Sequence, residues 1–349
     1  MKKFFPSIIF LLFSALVFPS LAFAHEAYVL SPEQFHQGLT ESGTNPFAAL
    51  RNPDNLRIFL TISGVIVALL VLNFLFRHSK PGRALNEGLG KLSRFGPVVV
   101  RLAIGVSFLF SALSWSFLGP EIPLQSLMFP EILRIGLFIS SILIVTGLFA
   151  ELAALIAFIV FGFAVLAHGF YLMTYLNYLG ELVVLLFFGS RYLSLDRIIF
   201  GLKKYFMKLQ KYETAIIRVC YGIGFTFTAI SVKFLHPQLT STVVIEYNLT
   251  RFHWLFPQDP LLVVFGAGLA ELIIGIFIIF GFELRLTVFI TLIYLTLSLI
   301  YFRELVWPHL ILYGISIDLM VDKERFTLDH FFDRIKILRR MRLKSLRRQ

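Results

Sequence analysis

Cysteine occurs once in the 349 residues, as Cys220, and charge is scarce, with Asp, Glu, Lys and Arg together making 15% of the chain. One cysteine cannot form a disulfide within the chain, a cysteine-based zinc site or a dithiol redox pair. The sequence has no P-loop, dinucleotide fingerprint, Gly-x-Ser-x-Gly or His-Glu-x-x-His motif. Gly222-x-Gly224 lies inside an apolar run, where it would meet no phosphate. No stretch is rich in Ser, Gln or Pro in the manner of a disordered linker. Set against this, 57% of the residues are hydrophobic and 40 are phenylalanine, more apolar surface than a soluble domain of this length can bury. The bilayer has to act as solvent. The net charge of +11 does not point to nucleic acid, because the basic residues gather in a few loops beside hydrophobic spans.

Residues 1–24 read as a cleavable export signal: Lys2 and Lys3 lead an apolar stretch from Ile8 to Val17, and Ala22-Phe23-Ala24 offers a small-x-small cleavage site. The mature chain would begin at His25, and 25–56 is a polar external segment. Nine hydrophobic spans are expected, at 57–76, 98–118, 132–150, 152–171, 174–189, 214–235, 260–281, 285–302 and 305–321. Starting outside, nine crossings end inside. The loop 77–97 carries Arg77, Lys80, Arg83, Lys91 and Arg94, and 191–213 is equally basic, whereas 119–131 has no Lys or Arg and 236–259 has only Arg251. This asymmetry places the basic segments in the cytoplasm of a bacterial inner-membrane protein, with the C-terminus inside. The tail 322–349 alternates apolar and basic residues and suits either an amphipathic helix on anionic lipid or a solvated topology anchor.

The chain also repeats itself. RLAIGVSFLFSALSWSFLGP from Arg101 matches RVCYGIGFTFTAISVKFLHP from Arg218 at nine of twenty positions, among them Gly105/Gly222 and Pro120/Pro237. Further on, Gly147 matches Gly281 and Gly180 matches Gly314. The expected fold is therefore all-α, with one N-terminal helix followed by two tandem four-helix units, 98–190 and 214–321. Both units start and end on the same side, so they are parallel rather than inverted repeats.

Arg218-x3-Gly222, then Lys233-Phe234-x-His236-Pro237, then Glu271-x3-Gly275-x5-Gly281-x3-Arg285 and a last helix opening at His309 resemble the DoxX family of four-helix membrane proteins. The resemblance covers 214–321 well and 98–190 loosely. It implies a four-helix bundle and, for some members, a place as a membrane subunit of quinone-linked oxidoreductases such as thiosulfate:quinone oxidoreductase. In the first unit Lys233, His236, Glu271, Arg285 and His309 align with Ser116, Gly119, Leu137, Glu151 and Tyr175, so a site is expected in the second unit.

Ionisable side chains inside hydrocarbon need partners or a water-filled cavity. Glu271, near the middle of its span, is the leading catalytic candidate, with Lys233, His236 and His309 as donors to a quinone carbonyl; Glu181 is a weaker suspect. An interhelical bond from Glu271 to Arg218 or Lys233 explains the same residue without chemistry. Arg218 and Arg285 are candidates for cofactor binding, although snorkelling or mutual capping near the helix ends accounts for both. The amine and imidazole of His25, with His36 as a third ligand, are a candidate metal site, but their spacing matches no closed metal motif. Since no redox cofactor motif is visible, quinone chemistry would need a partner redox protein as electron donor. A non-enzymatic assembly or accessory protein is the competing reading, and a transporter of a small solute or metal a third. What separates them is whether the polar residues converge on one cavity.

Overall fold

The computed structural model describes residues 29–31, 33–34, 37–38, 45–190, 192–201, 210–251, 257–322 and 326–332. The expected signal segment, His25, His36 and the tail beyond 332 lie outside the described residues. Apart from one isolated bridge between Ser116 and Pro123, the described residues form helices and their connections. We number the α-helices α1 (Pro53–His78), α2 (Lys80–Lys91), α3 (Gly96–Leu113), α4 (Pro130–Thr146), α5 (Ala150–His168) and α6 (Leu176–Phe188). There follow α7 (Leu195–Phe200), α8 (Glu213–Thr228), α9 (Pro237–Glu246), α10 (Pro260–Phe280), α11 (Leu284–Tyr301) and α12 (Leu310–Val321). Six helical stretches among the described residues are long and apolar enough to cross a membrane, which makes this a multi-pass membrane protein in contact with the bilayer. One of the six, 150–188, covers two expected spans, with a 3-10 segment at Gly169–Tyr175 between α5 and α6. The helices in the expected spans 132–150 and 305–321 are shorter, at 17 and 12 residues.

The two halves interlock. α3 packs on α4 of its own unit and on α12 of the other, while α8 packs on α10 of its own unit and on α6 of the other. The glycines shared by the repeat explain how. At Gly105 a Cβ would stand 2.7 Å from Val145, and at Gly222 one would stand 2.6 Å from the carbonyl oxygen of Gly275, so these glycines let the first helix of each unit approach the second. At Gly180 a Cβ would meet Cys220 at 2.7 Å, and at Gly314 it would meet Ala103 at the same distance. This second pair sets the contact between units. Hydrogen bonds cross the same seam: Ser107 Oγ donates to the Trp307 carbonyl at 2.9 Å and Tyr178 Oη to the Pro308 carbonyl at 3.1 Å.

A second symmetric device closes the turns between the middle helices. Gly147 and Gly281, at φ +66° and +63°, end α4 and α10 in the left-handed conformation, and α5 and α11 begin three residues later. The first amides of those helices need acceptors that lipid cannot supply. Asp196 accepts from Phe149 N at 2.9 Å and Ala150 N at 3.4 Å; Asp329 accepts from Glu283 N at 3.1 Å and Leu284 N at 3.3 Å. Each aspartate belongs to a Ser/Thr-Leu-Asp triplet, 194–196 and 327–329. The residue before each triplet presents its carbonyl to the repeat's arginine, Leu193 to Arg101 at 2.7 Å and Phe326 to Arg218 at 2.9 Å.

α1 lies outside this core. Pro53 and Asp54 in its first turn and Arg77 and His78 in its last follow the helix dipole, yet none of its central apolar window is buried. Polar clasps hold its two ends: Asn55 Nδ2 donates to Asp259 at 2.6 Å, Asn73 Nδ2 donates to Glu283 at 2.6 Å, and Arg77 pairs with Asp329 at 2.6 Å. The expected outer loop 236–259 carries the helix α9, whose Leu239, Val243 and Val244 are buried.

Replacing Asp196 by Ala removes a helix cap and is expected to lower stability by about 1–2 kcal/mol. Asp329→Ala also takes from Arg77 the nearer of its two buried carboxylates, leaving Glu283 at 3.9 Å, and is expected to cost about 3 kcal/mol, the lower end for a broken buried pair. Thermal unfolding in detergent ranks the two, and equal losses would show that the Arg77 clasp contributes nothing.

Candidate functional site

After residue 228 the helix α8 does not continue as an α-helix: Ala229–Phe234 forms a π-helix. A wider turn of this kind shifts the facing of the residues that follow, and such segments are frequent at functional sites. Its consequence here is Lys233. A lysine near a helix end would ordinarily snorkel outward, but Lys233 is buried, and its stem lies over Gly268, where a Cβ would stand 2.9 Å away. The ammonium reaches Glu271, one turn further along α10, with Nζ 3.0 Å from Oε2. The other carboxylate oxygen accepts from Tyr294 Oη of α11 at 2.5 Å. Three helices thus meet in a lysine–glutamate–tyrosine chain among apolar residues.

A second polar pair stands nearby. His309 Nε2 lies 2.9 Å from Glu304 Oε2, and its Nδ1 lies 2.9 Å from the Leu305 carbonyl. Both ring nitrogens face acceptors, so a protonated ring can donate twice. Glu304 Oε1 in turn accepts from Ser298 Oγ at 2.9 Å.

Lys233, Glu271, Tyr294, Ser298 and His309 line one cavity of about 130 Å³. Aromatic rings form much of the remaining wall: Tyr175, Tyr178, Tyr221 and Phe225. The first two, with Thr174 and Asn177, come from the first unit, whereas the sequence pointed to a site in the second unit alone. The interlocking of α6 with α8 is the reason, since it carries the start of α6 across the seam. Tyr175, the first unit's counterpart of His309, also donates to Glu121, which accepts from Tyr171 Oη at 3.1 Å as well.

Three of the four expected catalytic residues therefore come together, and His236 does not join them. It sits at the start of α9 with Nδ1 2.8 Å from the Ser231 carbonyl, outside the cavity lining. Arg218 and Arg285 also lie away from the cavity. Arg218 binds the carbonyls of Ile278 and Ile279 at the end of α10, and Arg285 binds those of Met320 and Asp322 at the end of α12, so each closes a helix terminus. Glu181 lines a separate, water-sized space beside Arg101 and Glu213. His25 and His36 lie outside the described residues; among those described, no cluster of three or more His, Cys, Asp or Glu has the arrangement of a metal site.

Tyr294, Glu304 and Ser298 did not stand out in the sequence. Glu304 had a readable signal, an acid five residues before a histidine in a short connection between spans. Tyr294 had none, being one of 12 tyrosines in an apolar helix.

Comparison with protein-family models, with curated proteins and with solved structures finds no match.

Truncating one member of a buried ion pair strands the other charge, so Lys233→Met alone is expected to destabilise the protein by about 3–5 kcal/mol. Lys233→Met combined with Glu271→Gln is expected to recover at least half of that loss. A double-mutant cycle by thermal unfolding in detergent measures the coupling; strict additivity would show that the 3.0 Å contact is energetically silent.

Proposed function

We propose that the chain is a nine-span membrane component of a quinone-linked oxidoreductase system, and that the cavity between its two units holds a quinone ring. The observation that carries this reading is convergence. Lys233, Glu271, Tyr294 and His309, the last backed by Glu304, line one aromatic-walled space within the membrane-spanning helices, whereas an accessory protein held together by polar packing pairs needs no shared cavity. The size suits a single six-membered ring: at about 130 Å³ it is close to the roughly 150 Å³ apolar cavity that accepts benzene in an engineered protein.

The residues divide the work by their chemistry. Lys233, whose ammonium carries three donors, is a group of the kind that holds a carbonyl oxygen, and the His309–Glu304 pair braces the wall beside it. Glu271, with Tyr294 on one oxygen and Lys233 on the other, can take or return a proton through short contacts. Reduction of a bound quinone to the hydroquinone consumes two electrons and two protons, and the electrons come from a partner redox protein. In this reading the basic segments face the cytoplasm of a bacterial inner membrane, the mature N-terminus lies outside, and the cavity sits toward the end of the bundle opposite the basic loops.

The test is direct binding of a quinone analogue to the purified protein in detergent. One lost charge-assisted hydrogen bond of about 1.5–3 kcal/mol should weaken binding about ten- to hundredfold in Lys233→Met combined with Glu271→Gln, which removes the donor without stranding its partner's charge. His236→Ala should leave affinity unchanged. A wild-type protein that binds no quinone removes this reading.

A further inference from the structure

We infer that the ligand of this cavity arrives sideways, out of the hydrocarbon of the bilayer, through the wall formed by Tyr294. This deepens the reading of the cavity as a quinone site and rests on it only for the identity of the ring. The inference narrows the ligand class to an amphiphile with one ring-sized, hydrogen-bonding head and a hydrocarbon tail left in the lipid.

Depth comes first. α11 has 18 residues, about 27 Å of helix against a hydrocarbon core of about 30 Å. Tyr294 is its eleventh residue and Glu271 is the twelfth of 21 in α10. Both lie near the middle of their spans, far from either aqueous face. Next comes the wall. Tyr294 lines the cavity and gives its hydroxyl to Glu271, yet it is 36% exposed and lies one turn from the exposed Ile290 and Leu297 on α11. Its neighbours there are hydrocarbon: Ile290 is 43% exposed, Ile293 45% and Leu297 59%. One side chain thus separates the carboxylate from the lipid-facing belt. The nearer end of the bundle is roofed, because Trp307, Pro308 and His309 are all buried. A water-borne solute would have to pass that roof, whereas a lipid-dissolved one has only a tyrosine ring to displace. Ser298, one turn further along α11, lines the same cavity and offers a second position on the same side.

A nitroxide at Tyr294→Cys in a Cys220→Ser background, in protein reconstituted into phospholipid vesicles, reports which phase reaches the wall. Leu297→Cys serves as the lipid-facing reference, and Ser298→Cys repeats the measurement with Tyr294 intact. Labels at 294 and 298 are expected to relax with dissolved oxygen to within about twofold of the label at 297, and to be insensitive to a water-soluble nickel chelate. A quinone bearing a decyl tail is then expected to lower oxygen access at 294 and 298 by at least half while leaving 297 unchanged. Sensitivity to the nickel chelate at both positions overturns the lateral route, as does inaccessibility of both to oxygen. Lipid access with no response to the quinone overturns the quinone assignment and leaves the route standing.

Discussion

A bilayer donates and accepts no hydrogen bonds, so a chain that turns back near hydrocarbon must supply caps for its own helix ends. The turns after Gly147 and Gly281 show what this demands. Each leaves two amides at the start of the next helix, and a distant aspartate, Asp196 or Asp329, arrives to accept them. The arginine of the first helix then holds the backbone just before that aspartate. Ties between chain segments far apart in sequence hold the helices in register, and the crossing glycines let them close to contact. The cavity follows from that closure, because α6 and α12 are each drawn across to the opposite unit.

Much of this frame was legible in the repeat. The pairs Arg101/Arg218, Gly105/Gly222, Gly147/Gly281 and Gly180/Gly314 occupy matching positions and serve matching purposes in the structure. The triplets Ser194-Leu195-Asp196 and Thr327-Leu328-Asp329 repeat as well, but they fall in basic segments that the positive-inside rule explained without need of structure. The interlocking was not legible. Small residues mark a helix face that will be approached closely, but they do not say which helix approaches it.

The site was legible in its charges and hidden in its geometry. An acid at mid-span and a histidine opening the last helix are conspicuous in 15% charged sequence. Lys233 was legible as a possible partner of Glu271, but the π-helix at 229–234 that carries it was not, since no residue pattern announces it. Arg218 and Arg285, equally conspicuous, turned to carbonyls at helix ends. In a membrane, an arginine has backbone duties as demanding as any ligand.

The clasp between Arg77 and Asp329 joins residues 252 positions apart, since 329 − 77 = 252. On a ribosome the first of them emerges long before the second. α1, bare of buried contacts along its centre, therefore enters the membrane early and waits there as a tethered single helix. Arg218 waits too, for the carbonyl of Phe326. Assembly of this protein completes only when its last quarter has been synthesised, so the C-terminal segment works as a latch, and a chain released before it would be inserted but unfastened.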